Sequence, residues 1–405
     1  MHLFSAVSLL ALASAAPSAR KMAPLFRPGG DVIEGQYIVM LHDGSALSGA
    51  SSALSLLKED PIHIYEHIIQ GFAAKFDMET LEALRLHPDV DYVENDGYGY
   101  APVEPFDSDA VQSQNSTGAS YGNEIDSQEV VTQEGATWGI SRVSSKSPGA
   151  KDYKYHSSAG AGTCSYILDT GIYLGHDEFK GRAKLGKKIA PGAAGDAHGH
   201  GTHCAGTVGG TLYGIAKKTQ LIDVKVLDDK SVGQWSDIIA GVDFVGGDNT
   251  DCPKGKFVNM SIGGGPNKGL NDASTKLSKS GVFVGTAAGN ANKDGKSSSP
   301  GSASDVCNVG ATDKSDTKAS FSNFGSTLSV WAPGVEILSA KPQGGNQLMQ
   351  GTSMACPHVV GLAAYLAAKD GGKGQDLCKK IASMAHKDLV KNPSGSPNLL
   401  AYNGL

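Results

Sequence analysis

A serine in the segment Gly351-Thr352-Ser353 stands at the start of an apolar, alanine-rich run that predicts a helix reaching Ala368. A hydroxyl in the first turn of a helix lies beside backbone N–H groups that have no partner within the helix, and the helix dipole favours negative charge there. Ser353 therefore stands where a nucleophile is expected. Taken alone, the same segment is also typical of a simple cap on a buried helix.

Two other residues are of the types that a serine nucleophile requires. Asp169 ends the apolar run SYILD, and His200 opens an alanine- and glycine-rich helical stretch within HGHGTHCAGT. A serine hydroxyl is a poor nucleophile until a base removes its proton, and a histidine base needs a carboxylate that fixes its tautomer and stabilises the imidazolium ion. One residue of each type, each at the end of a strand or the start of a helix, predicts acyl-transfer chemistry at Ser353.

A metal site is the alternative for the same region. His198, His200 and His203 have the spacing H-x-H-x-x-H and could bind zinc together with Asp169. A hydrolytic zinc site would need further histidine or carboxylate ligands on other strand ends, and the sequence offers no clear set. It would also leave the serine helix without a role. We therefore expect no metal in the chemistry.

The elements that must position these residues follow the pattern of an α/β domain. Compact apolar runs end in glycine, aspartate or asparagine, as is typical of strands buried on both faces of a parallel sheet. The runs are SYILDTGI, LIDVKVL, KFVNMSIGG, GVFVGTAAGN, VCNVGA and SVWAPG. Helices are predicted between several of them, over residues 201–208, 234–245 and 272–280. In such a mostly parallel sheet with helices on both faces, functional groups gather at the carboxyl ends of the strands.

Residues 36–97 predict a separate small domain. QYIVML alternates as a strand, residues 48–58 have helical character, and IYEHIIQGFAAKF predicts two strands around Gly71. METLEALRLH predicts a helix with Leu81 and Leu84 on one face, and DVDYVEND supplies a last strand. The order β-α-β-β-α-β is the ferredoxin-like α+β pattern.

The composition and the first residues indicate where the protein works. The 405 residues carry a formal net charge of −6 and a pI near 6.0, which gives no basic surplus for nucleic acid or an anionic membrane. Residues 3–16 form an apolar run that ends in small residues, which predicts a signal peptide over residues 1–16 and a secreted, extracellular protein. Six cysteines fit an oxidising compartment.

A stretch without periodicity separates the two predicted domains. Residues 101–130 are rich in proline, serine, glutamine and acidic residues and contain few large apolar ones, which predicts a disordered linker. Asn115-Ser116-Thr117 within it is a sequon for N-glycosylation. We expect Asn115 to be glycosylated if the chain is secreted.

Five segments resemble the signature segments of the subtilisin-like serine proteases. They are DTGI, HGHGTHCAGT, VNMSIGGG, AAGN and GTSMACPH. The order Asp, His, Ser is that of subtilisin, and the surrounding sequence is similar to the proteinase K branch of secreted fungal enzymes. The resemblance covers residues 138–403, and the small N-terminal domain resembles the inhibitory propeptide of that family. It implies a zymogen with a propeptide at 17–100, the linker at 101–130 and a catalytic domain at 131–405.

The resemblance implies a role for each residue of the site. Asp169 would orient His200, which would act first as general base and then as general acid, and Ser353 would be the nucleophile. Asn290, in AAGN, would donate its side-chain N–H to the oxyanion together with the backbone N–H of Ser353. Without the resemblance, Asn290 could equally be a turn residue after Gly289.

Two further segments resemble the substrate-binding strands of the family. Their residues are Val232, Gly233, Gln234, Ser261, Ile262, Gly263 and Gly264. Glycines leave backbone N–H and C=O groups open, so an extended peptide can add as a strand with little sequence selectivity. A neighbouring wall of small residues would leave room for a large apolar or aromatic residue before the scissile bond. The wall consists of Gly263, Gly264, Gly265, Ala287, Ala288 and Gly289. Simple loop glycines are the alternative.

The cysteines are paired here by the same resemblance. It implies disulfides between Cys164 and Cys252 and between Cys307 and Cys378. The two remaining cysteines, which lie on the helices that carry His200 and Ser353, are expected to be buried thiols. They are Cys204 and Cys356.

The calcium sites of the family are altered in this sequence. Ser304 and Val306 match carbonyl ligands of the main site, but Ser329 stands where relatives have an aspartate, and a hard cation prefers charged oxygen. A second site has Lys146 in place of a hydroxyl ligand, although Asp388 remains. We therefore expect weak dependence on structural calcium and no cofactor for the chemistry.

These features predict a monomeric, secreted serine endopeptidase made as a zymogen. It would cleave polypeptides through an acyl-enzyme, with a broad preference for apolar or aromatic residues before the scissile bond. Its propeptide would act as an intramolecular inhibitor whose last strand lies in the active-site cleft. The alternative from another class is a non-catalytic binding protein on the same scaffold, but every catalytic position is filled.

Overall fold

A computed structural model of the chain describes residues 21–49, 52–101 and 130–405. The predicted signal peptide at 1–16, the sequon at Asn115 and nearly all of the predicted linker lie outside the described residues. Within the described parts of the chain, no helix combines the length and the apolar character needed to cross a bilayer.

The N-terminal unit is a sheet of five strands that packs against one α-helix. Its elements are β1 (Leu25–Phe26), β2 (Val32–Leu41), β3 (His63–Tyr65), β4 (Gly71–Lys75), α1 (Met78–Leu86) and β5 (Val90–Tyr100). The strand order is β1-β5-β2-β4-β3. Helix α1 begins at Asp77, whose carboxylate accepts the backbone N–H of Thr80, and it buries Leu81 and Leu84 as predicted. The small α+β fold expected before the catalytic domain is thus confirmed.

One predicted helix of this unit is wrong. Residues 48–58 were expected to be helical, but the described part of this stretch contains only a 3-10 turn over Ala53–Leu56. The hydroxyl of Ser52 donates to the carbonyl of Gly49, and that of Ser55 donates to the carbonyl of Ser52. Such local bonds from serine to the backbone compete with helical hydrogen bonds, which is why the stretch stays irregular.

The second unit is built on a nine-stranded sheet with the order β18-β19-β15-β14-β13-β12-β8-β10-β9. The strands of this unit are β6 (Val130–Gln133), β7 (Tyr153–His156), β8 (Cys164–Asp169), β9 (Ala183–Lys188), β10 (Gln220–Lys225), β11 (Val232–Gln234), β12 (Lys256–Met260), β13 (Phe283–Ala287), β14 (Cys307–Thr312), β15 (Val330–Pro333), β16 (Ile337–Ala340), β17 (Asn346–Met349), β18 (His386–Lys387) and β19 (Leu399–Leu400). The six predicted apolar runs became β8, β10, β12, β13, β14 and β15, which pair in parallel as neighbours.

Helices cover both faces of this sheet. They are α2 (Trp138–Val143), α3 (His200–Gly209), α4 (Trp235–Gly247), α5 (Lys268–Lys279), α6 (Thr352–Asp370) and α7 (Gly374–Met384). Successive side chains of β8 point to opposite faces of the sheet and pack in two separate apolar cores. Ile167 packs in the core that contains α3 and α6, whereas Tyr166 and Leu168 pack in the core that contains α4 and α5. The predicted α/β fold with helices on both faces is confirmed.

Helices α3 and α6 approach each other closely because of a glycine. A Cβ atom on Gly361 would lie 2.9 Å from the carbonyl oxygen of Val208 and 2.9 Å from Cβ of Ile215. Any larger residue at this position would push the two helices apart. Their amino-terminal ends, which carry two of the predicted site residues, are therefore held side by side.

Two disulfides join strands to more distant segments. Cys164 at the start of β8 is bonded to Cys252, and Cys307 at the start of β14 is bonded to Cys378 in α7. Both pairs are those that the family resemblance implied.

Candidate active site

The three residues predicted to carry the chemistry meet at the carboxyl edge of the central sheet. Asp169 is the last residue of β8, His200 is the first residue of α3, and Ser353 is the second residue of α6. All three side chains are buried. Residues far apart in the sequence converge here because strand ends of a parallel sheet, and the helices that follow them, share one edge.

Asp169 and His200 form a buried hydrogen-bonded pair. Nδ1 of His200 lies 2.8 Å from Oδ1 and 2.9 Å from Oδ2 of Asp169. Burial lowers the pKa of His200, but the negative charge of Asp169 and a thiol contact with Cys204 outweigh burial and raise this pKa well above its usual value. The imidazole of His200 is therefore suited to accept and hold a second proton, as a general base must.

The link from the imidazole to the serine is not formed in this conformation. The hydroxyl of Ser353 donates instead to the carbonyl of Ser261 at 3.2 Å. Nε2 of His200 is buried and has no hydrogen-bond partner among the described residues. A serine hydroxyl changes partner by rotation about a single bond, and catalytic hydrogen bonds often tighten only when substrate is bound in its reactive geometry.

Asn290 is held in one orientation beside the start of α6. Both the backbone N–H and the hydroxyl of Thr352 donate to Oδ1 of Asn290, at 2.9 and 2.8 Å. A backbone N–H can only donate, so the atom facing Thr352 is the amide oxygen, and the NH₂ group is turned to the other side. Asn290 also lines the cavity described below. The NH₂ group of Asn290 is thus directed away from Thr352.

The end of β5 lies as an added strand between the two predicted substrate segments. On one side it pairs antiparallel with β11, in the register Tyr98 to Gln234, Gly99 to Gly233 and Tyr100 to Val232. On the other side, the N–H of Tyr100 donates to the carbonyl of Gly263 at 2.9 Å, and the N–H of Gly263 donates back at 2.8 Å. Ala101 continues along the cleft, where its N–H lies 3.3 Å from the carbonyl of Ser231.

A cavity of about 520 Å³ opens next to this docked strand. Its wall includes all six small residues predicted for it, together with Tyr100 and Asn290. Ile262 is buried in the apolar core beneath, and the hydroxyl of Ser261 donates to the carbonyl of Ser353 at 2.8 Å. The predicted strand, wall and nucleophile are therefore contiguous.

The three histidines of the alternative metal site do not form one centre. Nε2 of His203 lies 2.9 Å from the carbonyl of Ile337, and its ring nitrogens do not gather with those of His198 and His200. Instead, Asp169, His200 and Cys204 place ligand atoms within 4.8 Å of one another. Cys204 and Cys356 are both unpaired and buried, as expected.

The region matched to the main calcium site of the family is poorly suited to a calcium ion. The carbonyl of Ser304 accepts the hydroxyl of Thr275 at 3.0 Å, and Oγ of Ser329 accepts the N–H of Asn308 at 3.1 Å. The carboxylate of Asp305 lies 3.7 Å from the ammonium group of Lys279. The three oxygens at this place are thus already in contact with Thr275, Asn308 and Lys279, which disfavours a calcium ion there.

Chelation is accordingly expected to change thermal stability little. We expect EDTA to lower Tm by less than about 3 °C, because a loss of 1 kcal/mol shifts Tm by only a few degrees in a domain of this size. Thermal unfolding of the purified protein, with calcium or with EDTA, measures this effect. A shift several times larger would show that the chain binds calcium despite Ser329.

The structure adds contacts that the sequence analysis did not assign. The carboxylate of Asp243 in α4 accepts backbone N–H groups from residues 66–69 of the small unit. Glu94 accepts the N–H groups of Lys268 and Gly269 at the start of α5, at 2.9 and 2.8 Å. The available signal was Asp243, an aspartate in the apolar stretch of α4 that follows its first turn. These contacts dock the small unit on α4 and α5.

Comparison with known sequences decides the family. The profile of the Subtilase family matches residues 160–395, and that of the peptidase inhibitor I9 matches residues 36–98. The chain belongs to the subtilase family. This subtilase is a serine protease that carries an N-terminal peptidase-inhibitor domain, and the chemistry of its family needs no cofactor.

Several relatives of this subtilase are similar over nearly their whole length. Proteinase R of Parengyodontium album is 44% identical over 94% of this chain and 92% of its own. A cuticle-degrading protease of Metarhizium anisopliae is 41% identical over all of both chains. The crystal structure of a cold-adapted subtilisin-like serine proteinase aligns with a TM-score of 0.63 and 36% identity, and covers 67% of this chain and 99% of that one.

Proposed function

We propose that this subtilase is a secreted serine endopeptidase, made as a zymogen, that cleaves polypeptides through the triad Ser353, His200 and Asp169. The observation that carries the proposal is the strand β5, which lies between β11 and Gly263, two residues after Ser261, whose carbonyl accepts the hydroxyl of Ser353. A peptide that adds as a strand at this place has its backbone delivered to the nucleophile.

The proposed reaction follows from the positions of the three side chains. His200 Nε2 accepts the hydroxyl proton of Ser353 as Oγ attacks the scissile carbonyl, and the imidazolium then protonates the leaving amine. Asp169 keeps the other ring nitrogen protonated through its bonds to Nδ1. Water then hydrolyses the acyl-enzyme by the reverse proton transfers.

Asn290 is assigned to the oxyanion, because its oxygen is held by Thr352, its NH₂ group is turned away from Thr352, and the residue lines the cavity beside the docked strand. We expect Asn290→Ala to lower kcat about 100- to 1000-fold with little change in KM, since the donor acts mainly in the transition state. Steady-state hydrolysis of a peptide substrate measures both constants.

Asn323→Ala is the matched control, because that buried amide donates to the carbonyl of Ala288 on the same cavity wall. Its kcat should stay well above that of Asn290→Ala. Equal losses in the two variants would show that the cavity wall, rather than an oxyanion donor, is disturbed.

The proposed specificity follows from the cavity and from the strand contacts. Backbone bonds to Gly263 and β11 are independent of substrate sequence. The wall of glycine and alanine around about 520 Å³ suits a large apolar or aromatic side chain before the scissile bond. A panel of peptides that differ only at this residue tests the preference, and faster cleavage after charged residues would contradict it.

Gly99 of the docked strand packs tightly against helix α4. A Cβ atom on Gly99 would lie 2.6 Å from Cζ3 of Trp235 and 2.9 Å from Cδ1 of Ile238. We expect Gly99→Ala to weaken the bound propeptide by about 1–3 kcal/mol, or roughly 5- to 150-fold in Kd. Protease activity should then appear sooner after purified zymogen is incubated.

Gly175→Ala serves as the control for this variant. A Cβ atom on Gly175 meets no heavy atom within 4 Å, so its time course should match that of the unmodified chain. An unchanged time course for Gly99→Ala would contradict the proposed inhibitory contact.

Processing is proposed to remove a propeptide at 17–100 and the linker at 101–130 from a monomeric catalytic domain at 131–405. The cut that frees the docked strand should fall near the end of β5, because Tyr100 and Ala101 are still bonded in the cleft. Amino-terminal sequencing of protein recovered from culture medium tests processing and secretion together. Retention of the mature form inside cells would contradict secretion.

A serine-directed phosphonylating reagent tests the proposed chemistry directly. We expect one equivalent to label Ser353 and abolish hydrolysis, and we expect no labelling of Ser353→Ala. A protein that binds peptides without labelling would be the non-catalytic alternative.

A further inference from the structure

The carboxylate of Asp196 is a buried group with no part in the proposed proton transfers. Its side chain is only 8% exposed. Oδ1 accepts hydrogen bonds from the hydroxyl of Thr170 at 2.9 Å and from the N–H groups of His198 at 3.0 Å and Gly199 at 2.7 Å. Oδ2 accepts the N–H of Thr202 at 2.9 Å and its hydroxyl at 2.6 Å. These contacts surround His200 on both sides along the chain.

This carboxylate supplies a cap that the helix itself lacks. Gly199 precedes α3 with φ of 107°, and it has no side chain that could bond to the first turn. The N–H groups of Gly201 and Thr202 have no partner within the helix. The hydroxyl of Thr170 accepts the first at 3.0 Å, and Asp196 accepts the second. A negative charge at a helix amino terminus is favourable in addition.

The same bonds tie α3 to the end of β8. Thr170 directly follows Asp169, and its N–H donates to Oδ1 of Asp169 at 2.7 Å. Its hydroxyl donates to Asp196, which holds the residues before and after His200. Asp169 and His200 are therefore connected twice, once by their own hydrogen bond and once through Thr170 and Asp196. The second connection fixes the backbone from which the imidazole projects.

We propose that Asp196 is a positioning residue for the Asp169–His200 pair. It holds the first turn of α3 at the end of β8, so that Nδ1 of His200 meets the carboxylate of Asp169 and Nε2 stays directed at the nucleophile. This inference rests on the proposed function of the triad. In this role Asp196 does not touch the substrate. Removing its carboxylate should therefore change kcat rather than KM.

The test is Asp196→Asn in the full chain. The variant loses the charge and turns an NH₂ group towards donors, so the first turn of α3 shifts. A misplacement of about 1 Å at a catalytic group costs on the order of 100-fold. We expect kcat to fall roughly 10- to 100-fold with KM nearly unchanged, and Asp196→Glu, which keeps the charge, to recover part of the loss.

Asp313→Asn is the matched control. That carboxylate accepts two backbone N–H groups, from Ser315 and Thr317, at 2.8 and 2.9 Å, where Asp196 accepts three, and it caps a turn outside the site. Its kcat should stay unchanged. An Asp196→Asn variant with unchanged kcat would overturn the inference, and so would one whose KM rises while kcat holds.

A spectroscopic measurement separates positioning from general stability. In the unprocessed Ser353→Ala chain, the N–H proton shared by His200 and Asp169 should give a far-downfield proton resonance. We expect Asp196→Asn in this background to broaden or shift that resonance upfield, and Asp313→Asn to leave it in place. A lowered Tm with an unmoved resonance would mean that Asp196 only stabilises the fold, and would overturn the inference. Full activity of Ser353→Ala would instead overturn the proposed function.

Discussion

Replacing Ser353 by alanine is expected to lower kcat for peptide hydrolysis on the order of 10⁶-fold, as removal of the nucleophile does in a serine-protease triad. The variant has no atom that can form the acyl-enzyme, although peptide binding and the oxyanion donors remain. The fold should persist, because among the described residues the change removes only one side-chain hydrogen bond, from Ser353 to the carbonyl of Ser261. The chain should therefore remain uncut, with β5 in the cleft.

Two measurements on the purified variant check this expectation. Initial rates on a peptide substrate report kcat, and the mass of the intact chain reports processing. Ser141→Ala is the control, because Ser141 is equally buried and its hydroxyl also donates to a backbone carbonyl, at 3.3 Å. A Ser353→Ala chain that still processes itself would require a different nucleophile.

Replacing Asp169 by asparagine is expected to lower kcat about 10⁴-fold near neutral pH. Both carboxylate oxygens of Asp169 lie within 2.9 Å of Nδ1 of His200, which keeps the proton on that nitrogen and leaves Nε2 free to accept. An amide of similar shape can turn its NH₂ group to Nδ1 and stabilise the opposite tautomer. The imidazole would then hold a proton where it must accept one.

The pH dependence of kcat/KM in Asp169→Asn should shift in one direction, towards lower pH. Burial lowers the pKa of His200, and the charge and hydrogen bond of Asp169, together with the contact with Cys204, outweigh that effect. In Asp169→Asn the burial remains while the charge is lost, so the pKa of His200 falls. The acid limb of kcat/KM, which reports this group in the free enzyme, should move to lower pH. An acid limb that stays in place would show that Asp169 does not set the protonation of His200.

The docked strand explains how one set of contacts can serve inhibition and catalysis. β5 bonds to Gly263 and to β11 through its backbone, as a substrate strand is proposed to do. The small unit adds contacts that a short peptide lacks, such as the bonds from Glu94 to α5 and from residues 66–69 to Asp243. A propeptide cut in place would therefore leave slowly, because its remaining contacts are unaffected by the cut.

Much of the fold could be predicted from local signals. The six buried strands are short apolar runs that end in glycine, aspartate or asparagine, and this pattern does not depend on distant residues. Helix α1 was predicted correctly because Leu81 and Leu84 share a face, while the stretch 48–58 was wrong because serine side chains bond to the nearby backbone. Periodicity reports burial, but it does not report such local competition.

By itself, the sequence determined the fold class, the family and the residue types at the strand and helix ends, because these depend on short patterns and ordered motifs. Only the tertiary structure decided which partner each buried polar atom takes: Ser353 bonds to Ser261, Asp243 binds the backbone of residues 66–69, and Asp196 holds the first turn of α3. These choices join segments far apart in the chain. They depend on how the packed helices and strands bring donors and acceptors within about 3 Å, which no local pattern encodes.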